Sequence, residues 1–450
     1  MRSFPCLALL ASAGLLVGAA DISAIGFETV PDRHPAELLP EAMVSGADFK
    51  VVDPVHGDGL MNHFVLESRY GTFEAYGRAA LAIRIREVAA LAELAGTSDI
   101  QIAAGGVVQG VASEVKTATG VVTHPIRIVT GIPTGIEHLF AGYRARGQEA
   151  LADAKSEASA LRSQPSGSGD SASGPAAASG ASHDVHKAVE KGRKEARSYA
   201  ERYLGVTAAE REYYRKLGVD PYTDNQVLRN AIRHAAKISA AAGFGLKFAS
   251  LPAIPGIGIT QRVVDTIYNE DPAAIRERTR KTLAGYGLTA AEIDRFMNAP
   301  LLSPTRQVVL LAAAQALEGV AQRGELFRHA LALDSNEEAQ VYLRSVGLLV
   351  KAHASQALTS VVPGLRLPAG LRADGSLVVC GAFESVYWTG DVARLELQLR
   401  QALPGSAAGA ARELWVAGML SEHARQAALA LGWQLHEVAD ETVARTAARA

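Results

Sequence analysis

A low-complexity segment in the middle of the chain constrains how this chain folds. Residues 163–182 consist almost entirely of Ser, Gly, Ala and Pro. Such a segment buries too little apolar surface to compensate for the entropy that the chain loses on ordering. The sequence therefore predicts a flexible linker here, with separately folding units on either side.

The beginning of the chain has the pattern of an export signal. Arg2 precedes an apolar run over residues 4–17, and small residues follow at 18–20. The run is shorter than the roughly 20 residues that a membrane-spanning helix needs. We therefore predict a signal peptide over 1–20 and a periplasmic or extracellular protein after cleavage, with an uncleaved anchor as the alternative. The frequent Ala, Gly and Arg are typical of a GC-rich bacterial source.

Composition excludes several classes of protein. Hydrophobic residues make up 48% of the chain and charged residues 20%, which predicts a largely globular protein. Its 45 basic and 47 acidic residues give a net charge of −2, so nothing indicates a nucleic-acid partner. After the leader only Cys380 remains, which excludes an internal disulfide and a cysteine-type zinc site. We expect Cys380 to be a buried apolar residue rather than a nucleophile.

The first unit is predicted to be small and to mix strands with helices. Residues 21–59 contain four prolines and show no sustained hydrophobic period. This indicates an extended arm with at most one helical turn. Residues 60–162 then form the α+β unit. Alternation over His63–Tyr76 predicts a β-hairpin, and helical spacing predicts a helix over Arg78–Leu94. Short Gly-rich helices are expected from Ile100 onwards.

The chain after the linker is predicted to contain two further domains. Residues 183–360 form an all-α domain, in which Thr289, Ser303 and Ser335 begin helices. Residues 361–440 alternate strands and helices, which predicts a small α/β domain with a partly parallel sheet. Residues 441–450 form a frayed or disordered tail. The fold class is thus α+β multidomain and mainly helical, with an N-terminal β-hairpin plus helices, a central all-α domain and a small C-terminal α/β domain.

Two polar groups resemble metal sites without completing one. His183, Asp184 and His186 lie beside the linker, where no rigid second shell supports them. Asp220, Asp224 and Asn225 lie in a turn that lacks the Gly and terminal Glu of an EF-hand loop. We therefore predict that Thr223, Asp224 or Asn225 caps the helix that begins at Gln226, and we predict no metal site and no cofactor.

The C-terminal domain contains the residue types of a hydrolytic triad. They are Asp391, Ser421, His423 and His436. The spacing of a nucleophile elbow is absent from the chain, so these residues support a triad only as an open hypothesis.

Three segments invite a membrane interpretation. Residues 238–259 are Gly-rich and apolar with Lys247 as the only charge, and they suit either a membrane-inserting hairpin or a buried helix pair. We expect the buried pair, because each half is too short to span a bilayer. Residues 121–140 suit surface contact or ordinary packing equally well. Residues 186–204 mix positive and negative charges, as in a solvated helix.

The sequence as a whole predicts an exported bacterial protein without enzymatic activity, acting as an interaction or envelope-associated module. Its partner is an unidentified protein or envelope component, with peripheral membrane contact as an option. One alternative is a periplasmic hydrolase-type enzyme whose site lies between the helical and C-terminal α/β domains. A second alternative is a membrane-active protein that uses the Gly-rich apolar segments.

Overall fold

The computed structural model describes residues 26–97, 100–102, 108–110, 199–242, 261–402 and 410–438. Within these ranges the chain is mixed α+β with a helical majority, as the sequence predicts. The predicted signal, linker and tail lie outside the described residues, as do His183, Asp184, His186, Lys247 and segment 121–140. The domain boundaries remain predictions.

An antiparallel sheet forms the first part of the fold. Its strands are β1 (Phe49–Val51), β2 (His56–Gly57), β3 (Asn62–Ser68) and β4 (Gly71–Tyr76). Strand β3 pairs with the other three strands. The predicted hairpin is confirmed, and Gly71 at its turn has a φ of 128°, which favours glycine.

The described part of the predicted extended arm, residues 26–59, is folded onto this sheet. Helices α1 (Pro35–Leu38) and α2 (Glu41–Val44) precede β1, and both β1 and β2 pair with β3. Met43 and Val55 are buried in the same hydrophobic cluster as Phe64. The prediction of an arm is corrected here. Elements of two to four residues are too short to show a period in the sequence.

Helix α3 (Arg78–Thr97) follows the hairpin as predicted and buries Leu81, Val88 and Leu91. After it, β5 (Ile100–Ile102) and β6 (Val108–Gly110) pair in antiparallel fashion. The sequence predicts short helices in this region, and the described part contains strands instead. The glycines weaken any helix, while the β-branched residues favour extended backbone.

Helices are the main elements among the described residues from 199 to 355. They form a π-helical turn (Ala200–Leu204), α4 (Ala208–Leu217), α5 (Gln226–Ala242), α6 (Gln261–Asn269), α7 (Pro272–Ala284), α8 (Ala290–Asn298), α9 (Pro304–Ala316), α10 (Glu325–Ala330) and α11 (Asn336–Ser355). The predicted helix starts are confirmed, because Thr289, Ser303 and Ser335 each accept a hydrogen bond from a backbone N–H in the first turn.

A five-stranded sheet follows the helices. Its strands are β7 (Leu358–Val361), β8 (Ala369–Arg372), β9 (Leu377–Gly381), β11 (Arg412–Val416) and β13 (Trp433–Glu437), in the order β13-β11-β9-β8-β7. The predicted parallel set is β9, β11 and β13, whereas β7 and β8 add antiparallel strands that the sequence does not indicate. The remaining elements are β10 (Ser385–Val386), α12 (Gly390–Ala402), β12 (Met419–Leu420) and α13 (Glu422–Ala430).

Three hydrophobic clusters connect segments that are far apart in the chain. One joins Leu91 of α3 to Leu228 and Ile232 of α5. Another joins Met61, beside β3, to Val379 of β9. The third packs α9 and α11 against the sheet. It includes Cys380, which is fully buried as expected and whose thiol pKa is raised by that burial.

None of the described helices combines the length and the apolar composition needed to cross a bilayer. The prediction for residues 238–259 lies mostly outside the described residues, which reach Ala242 and resume at Gln261.

Candidate functional site

A polar cluster lies where the N-terminal sheet meets the C-terminal one. The segment between β2 and β3 runs beside the segment that follows β9. The backbone N–H groups of Glu384 and Ser385 donate to the carbonyl of Leu60, at 2.9 and 3.2 Å. The carboxyl ends of the parallel strands β9 and β11 lie at this contact. In α/β sheets, ligands usually bind at the carboxyl ends of the strands. We call the cluster the polar junction, and it comprises Asp58, Asn62, His63, Tyr76, Arg78, Arg344 and Glu384.

Asp58 is a buried carboxylate surrounded by donors. Its side chain has no exposed area. It accepts hydrogen bonds from the N–H groups of Leu60 and Met61, at 2.9 and 2.8 Å, and from the hydroxyl of Tyr76, at 2.5 Å. Burial alone raises the pKa of Asp58. The hydrogen bonds from His63, Tyr76 and the backbone outweigh burial and lower this pKa below its ordinary value, so the group is ionised.

His63 connects this buried carboxylate to solvent. Its Nε2 lies 3.4 Å from Oδ2 of Asp58, and 41% of its side chain is exposed. The ring of Tyr76 meets the imidazole edge-on, with 4.6 Å between centroids. An ionised carboxylate only accepts hydrogen bonds, so Nε2 carries the proton. In the neutral imidazole the lone pair therefore lies on Nδ1.

Tyr76 is held in its protonated form. Burial is the largest cause of its strongly raised pKa, and the charges of Asp58, Glu384 and Glu337 raise it further. The hydroxyl thus remains a donor to Asp58 at neutral pH. Its ring and its hydroxyl together fix both members of the Asp58–His63 pair.

Glu384 reaches across from the C-terminal unit. Its side chain is 1% exposed and accepts from the backbone N–H of Arg78, at 2.5 Å, and from the amide of Asn62, at 3.2 Å. The guanidinium groups of Arg78 and Arg344 lie 3.8 Å away. Burial raises the pKa of Glu384, and the two arginines offset this only in part. Asp58 and Glu384 thus have pKa values displaced in opposite directions, an arrangement typical of acid–base sites.

Two more Asp–His pairs lie on the same N-terminal unit. Nδ1 of His56 is 2.7 Å from Asp32, and Nδ1 of His34 is 2.9 Å from Asp53. His56 is the direct cross-strand neighbour of His63. In the part of the chain that the structure describes, no three His, Cys, Asp or Glu residues are grouped to hold a metal ion.

The four residues of the triad hypothesis do not come together. Ser421 caps α13 and donates to Glu28. His423 contacts the carbonyl of Gly26. Asp391 pairs with Arg394 at 2.9 Å, and His436 lies 3.3 Å from Glu413 and stacks on Trp415. All four are described, and none hydrogen-bonds to another.

The Asp220 turn does not form a calcium site either. Asn225 accepts from the N–H of Leu228 at 3.2 Å, as the capping prediction requires. Asp224 pairs with Arg84, whereas Asp220 accepts from the Thr305 hydroxyl at 2.6 Å. Burial raises the pKa of Asp220 to about 6. The carboxylates of this turn therefore have separate partners.

Sequence reasoning missed the polar junction. His63 and Tyr76 lie at the open end of the predicted hairpin, and they are cross-strand neighbours. Correct pairing of that hairpin places the two rings side by side, so this contact could have been found. Glu384 and Asn62 have no local signal, because more than 300 residues separate them.

Comparison of the chain with protein-family models, with curated proteins and with solved structures finds no match.

Proposed function

We propose that this chain is an exported hydrolase-type enzyme in which His63 is the general base. The observation that carries the proposal is the pair of buried, ionised Asp58 and half-exposed His63, with the free lone pair on Nδ1. A carboxylate that fixes the tautomer and orientation of a histidine is the arrangement that general bases use. The predicted signal peptide supports export.

The reaction that fits this arrangement is hydrolysis of an ester. Nδ1 of His63 takes a proton from water as the water oxygen bonds to the acyl carbon. The bond from that carbon to the leaving oxygen then breaks, and the proton passes from Nδ1 to this oxygen. The products are a carboxylic acid and an alcohol, and no cofactor is consumed. Asp58 stabilises the imidazolium that forms in between.

The other residues of the polar junction hold this pair in place. Tyr76 positions both Asp58 and His63. Glu384, through Asn62 and Arg78, fixes the N-terminal strands against the carboxyl ends of β9 and β11. The proposed site thus lies between the N-terminal sheet and the C-terminal sheet, with Arg344 contributed by α11.

The test is hydrolysis of para-nitrophenyl acetate by the full chain and its His63→Gln variant. We expect the variant to lose about a hundredfold in rate, which is typical for removal of a general base. His34→Gln is the matched control, because His34 is also exposed and paired with an aspartate, and it should keep the wild-type rate. Equal rates for the wild type and His63→Gln contradict the proposal.

A specific observation favours a second function, the non-enzymatic interaction or envelope-associated module. The first described residues are anchored on the C-terminal unit, where Glu28 exchanges hydrogen bonds with the backbone of Trp388 and accepts one from the Ser421 hydroxyl. Phe27 precedes Glu28 in the chain and Met419 lies two residues before Ser421, and their side chains are 60% and 61% exposed. A protein interaction site needs large apolar side chains that remain exposed in the folded chain.

This second function is tested by fractionation of the bacterial envelope. The double variant Phe27→Ser/Met419→Ser should move from the envelope fraction to the soluble fraction, because the exposed apolar area is lost. Leu429→Ser is the control, since Leu429 is 55% exposed on helix α13. If the control redistributes as much as the double variant, or neither does, this function is excluded.

A further inference from the structure

Two exposed histidines lie directly opposite each other on the N-terminal sheet. His56 of β2 and His63 of β3 are cross-strand neighbours in an antiparallel pair. Such neighbours point to the same face, with Cβ atoms about 5 Å apart. Their side chains are 53% and 41% exposed. Both imidazoles are therefore accessible from solvent on one face of the sheet.

Each imidazole has one nitrogen beside a carboxylate. Nδ1 of His56 contacts Asp32 at 2.7 Å, and Nε2 of His63 contacts Asp58 at 3.4 Å. Because a carboxylate accepts the N–H, the lone pairs lie on Nε2 of His56 and on Nδ1 of His63. Histidines that bind metals almost always donate their other N–H to a carboxylate or carbonyl in this way.

We infer that His56 and His63 together bind one divalent transition-metal ion. The pair supplies two neutral imidazole ligands, and water completes the coordination. Imidazole nitrogen suits Zn²⁺, Ni²⁺ and Cu²⁺, whereas Mg²⁺ and Ca²⁺ prefer oxygen ligands. The aspartates behind both rings accept the N–H of each imidazole, which raises the basicity of the ligating nitrogens.

Metal binding at this pair goes beyond the proposed hydrolysis and opposes it. Nδ1 of His63 has one lone pair, which serves either the metal or the proton of water. A bound ion therefore blocks the general base. Under this inference Zn²⁺ is an inhibitor of the site, and its release restores the activity.

The test is equilibrium dialysis of the full chain, without an affinity tag, against Zn²⁺ or Ni²⁺. We expect one site in the wild type and at least about tenfold weaker binding in His56→Gln and in His63→Gln. His34→Gln should bind as the wild type does, because His34 lies at the start of α1 and not in the β2–β3 pair. Mg²⁺ should not compete for the site.

The paired histidines of segment 183–186 provide a second control. If the double variant His183→Gln/His186→Gln binds one ion as the wild type does, the inference is supported. If this variant loses the ion while His56→Gln retains it, the inference is overturned. Equal binding by the wild type, His56→Gln and His63→Gln overturns it as well.

The binding experiment uses no substrate, so its outcome is independent of the proposed hydrolysis. Where hydrolysis of para-nitrophenyl acetate is observed, His56→Gln separates the two roles. This variant keeps the general base and should keep the wild-type rate, but Zn²⁺ should no longer inhibit it. Inhibition of His56→Gln at the same Zn²⁺ concentration as the wild type contradicts a shared metal site.

Discussion

Single buried polar side chains in this chain differ in how well their hydrogen-bonding groups are satisfied. Asp58 is completely hidden but accepts several hydrogen bonds, so its negative charge is compensated. His329 on α10 is the opposite case. Both of its ring nitrogens are buried without a hydrogen-bond partner, and burial lowers the pKa of the imidazole to about 4. Asp58 therefore couples the core to the candidate site, whereas the unpaired ring of His329 destabilises the fold.

The stability of the chain should depend on pH through His329. Below about pH 6.5 the unfolded chain protonates this histidine, while the folded chain keeps it neutral. The free energy of unfolding should therefore fall as the pH is lowered from 6.5 towards 4. His329 accounts for at most about 3 kcal/mol of this decrease. His329→Phe should remove this loss and keep the aromatic contact with Tyr342.

Urea unfolding of both proteins at pH 7 and pH 5 measures the effect. The variant should gain more over the wild type at pH 5 than at pH 7. A stability difference that is the same at both pH values contradicts this account of His329.

At the scale of elements, one glycine allows β4 to lead into α3 beside Glu384. Gly77 has a φ of 91°, and its N–H donates to the carbonyl of Asn62 at 2.8 Å. A Cβ at this position would lie 2.5 Å from Cε of Met61 and 2.8 Å from Oε1 of Glu384. The positive φ and the close approach both exclude larger residues. The start of α3 and the polar junction therefore depend on the same residue.

Gly77→Ala should destabilise the chain more than an equivalent change at an open position. Gly287 is the matched control, because its φ is 76° and nothing lies within 4 Å of its Cβ position. Backbone strain alone should cost about 1–3 kcal/mol at Gly287. At Gly77 the displaced Met61 and Glu384 should add about 1–3 kcal/mol. Thermal unfolding of both variants tests this, and equal losses would show that the contact at Gly77 is not tight.

At the scale of the whole molecule, distant segments share their hydrophobic cores. Helix α3 packs with α5 through Leu91 and Ile232, on opposite sides of the predicted linker. The segment before β3 packs on the C-terminal sheet through Met61 and Val379. Buried apolar area of this kind stabilises an interface at roughly 25 cal/mol per Å². The predicted units are therefore in contact in the folded chain.

Cleavage in the predicted linker should leave the fold intact. A protease site inserted within residues 163–182 should be cut rapidly, because the sequence predicts exposed backbone there. The two fragments should then elute together in size-exclusion chromatography, held by the shared cores. They should separate only in denaturant. Separate elution of the fragments in native buffer would contradict the shared cores.

The sequence alone determined the features that depend on neighbouring residues. Thr289 and Glu292 predict their helix start because a capping box is completed within one turn. The hairpin at Gly71 and the parallel set β9, β11 and β13 also follow from local alternation and from the order of strands and helices. These signals are reliable because the interactions that cause them connect residues close in sequence.

Only the tertiary structure decided what lies at the polar junction. Asn62 and Glu384 meet because the N-terminal strands pack on the carboxyl ends of β9 and β11. Strands β1 and β2 contain three and two residues, which are too few to show the hydrophobic alternation of a β-strand in the sequence. Their pairing with β3 stabilises them. Contacts between distant segments depend on how complete surfaces fit together. No short stretch of sequence contains that information, and the contacts of Glu384 at the polar junction depend on it.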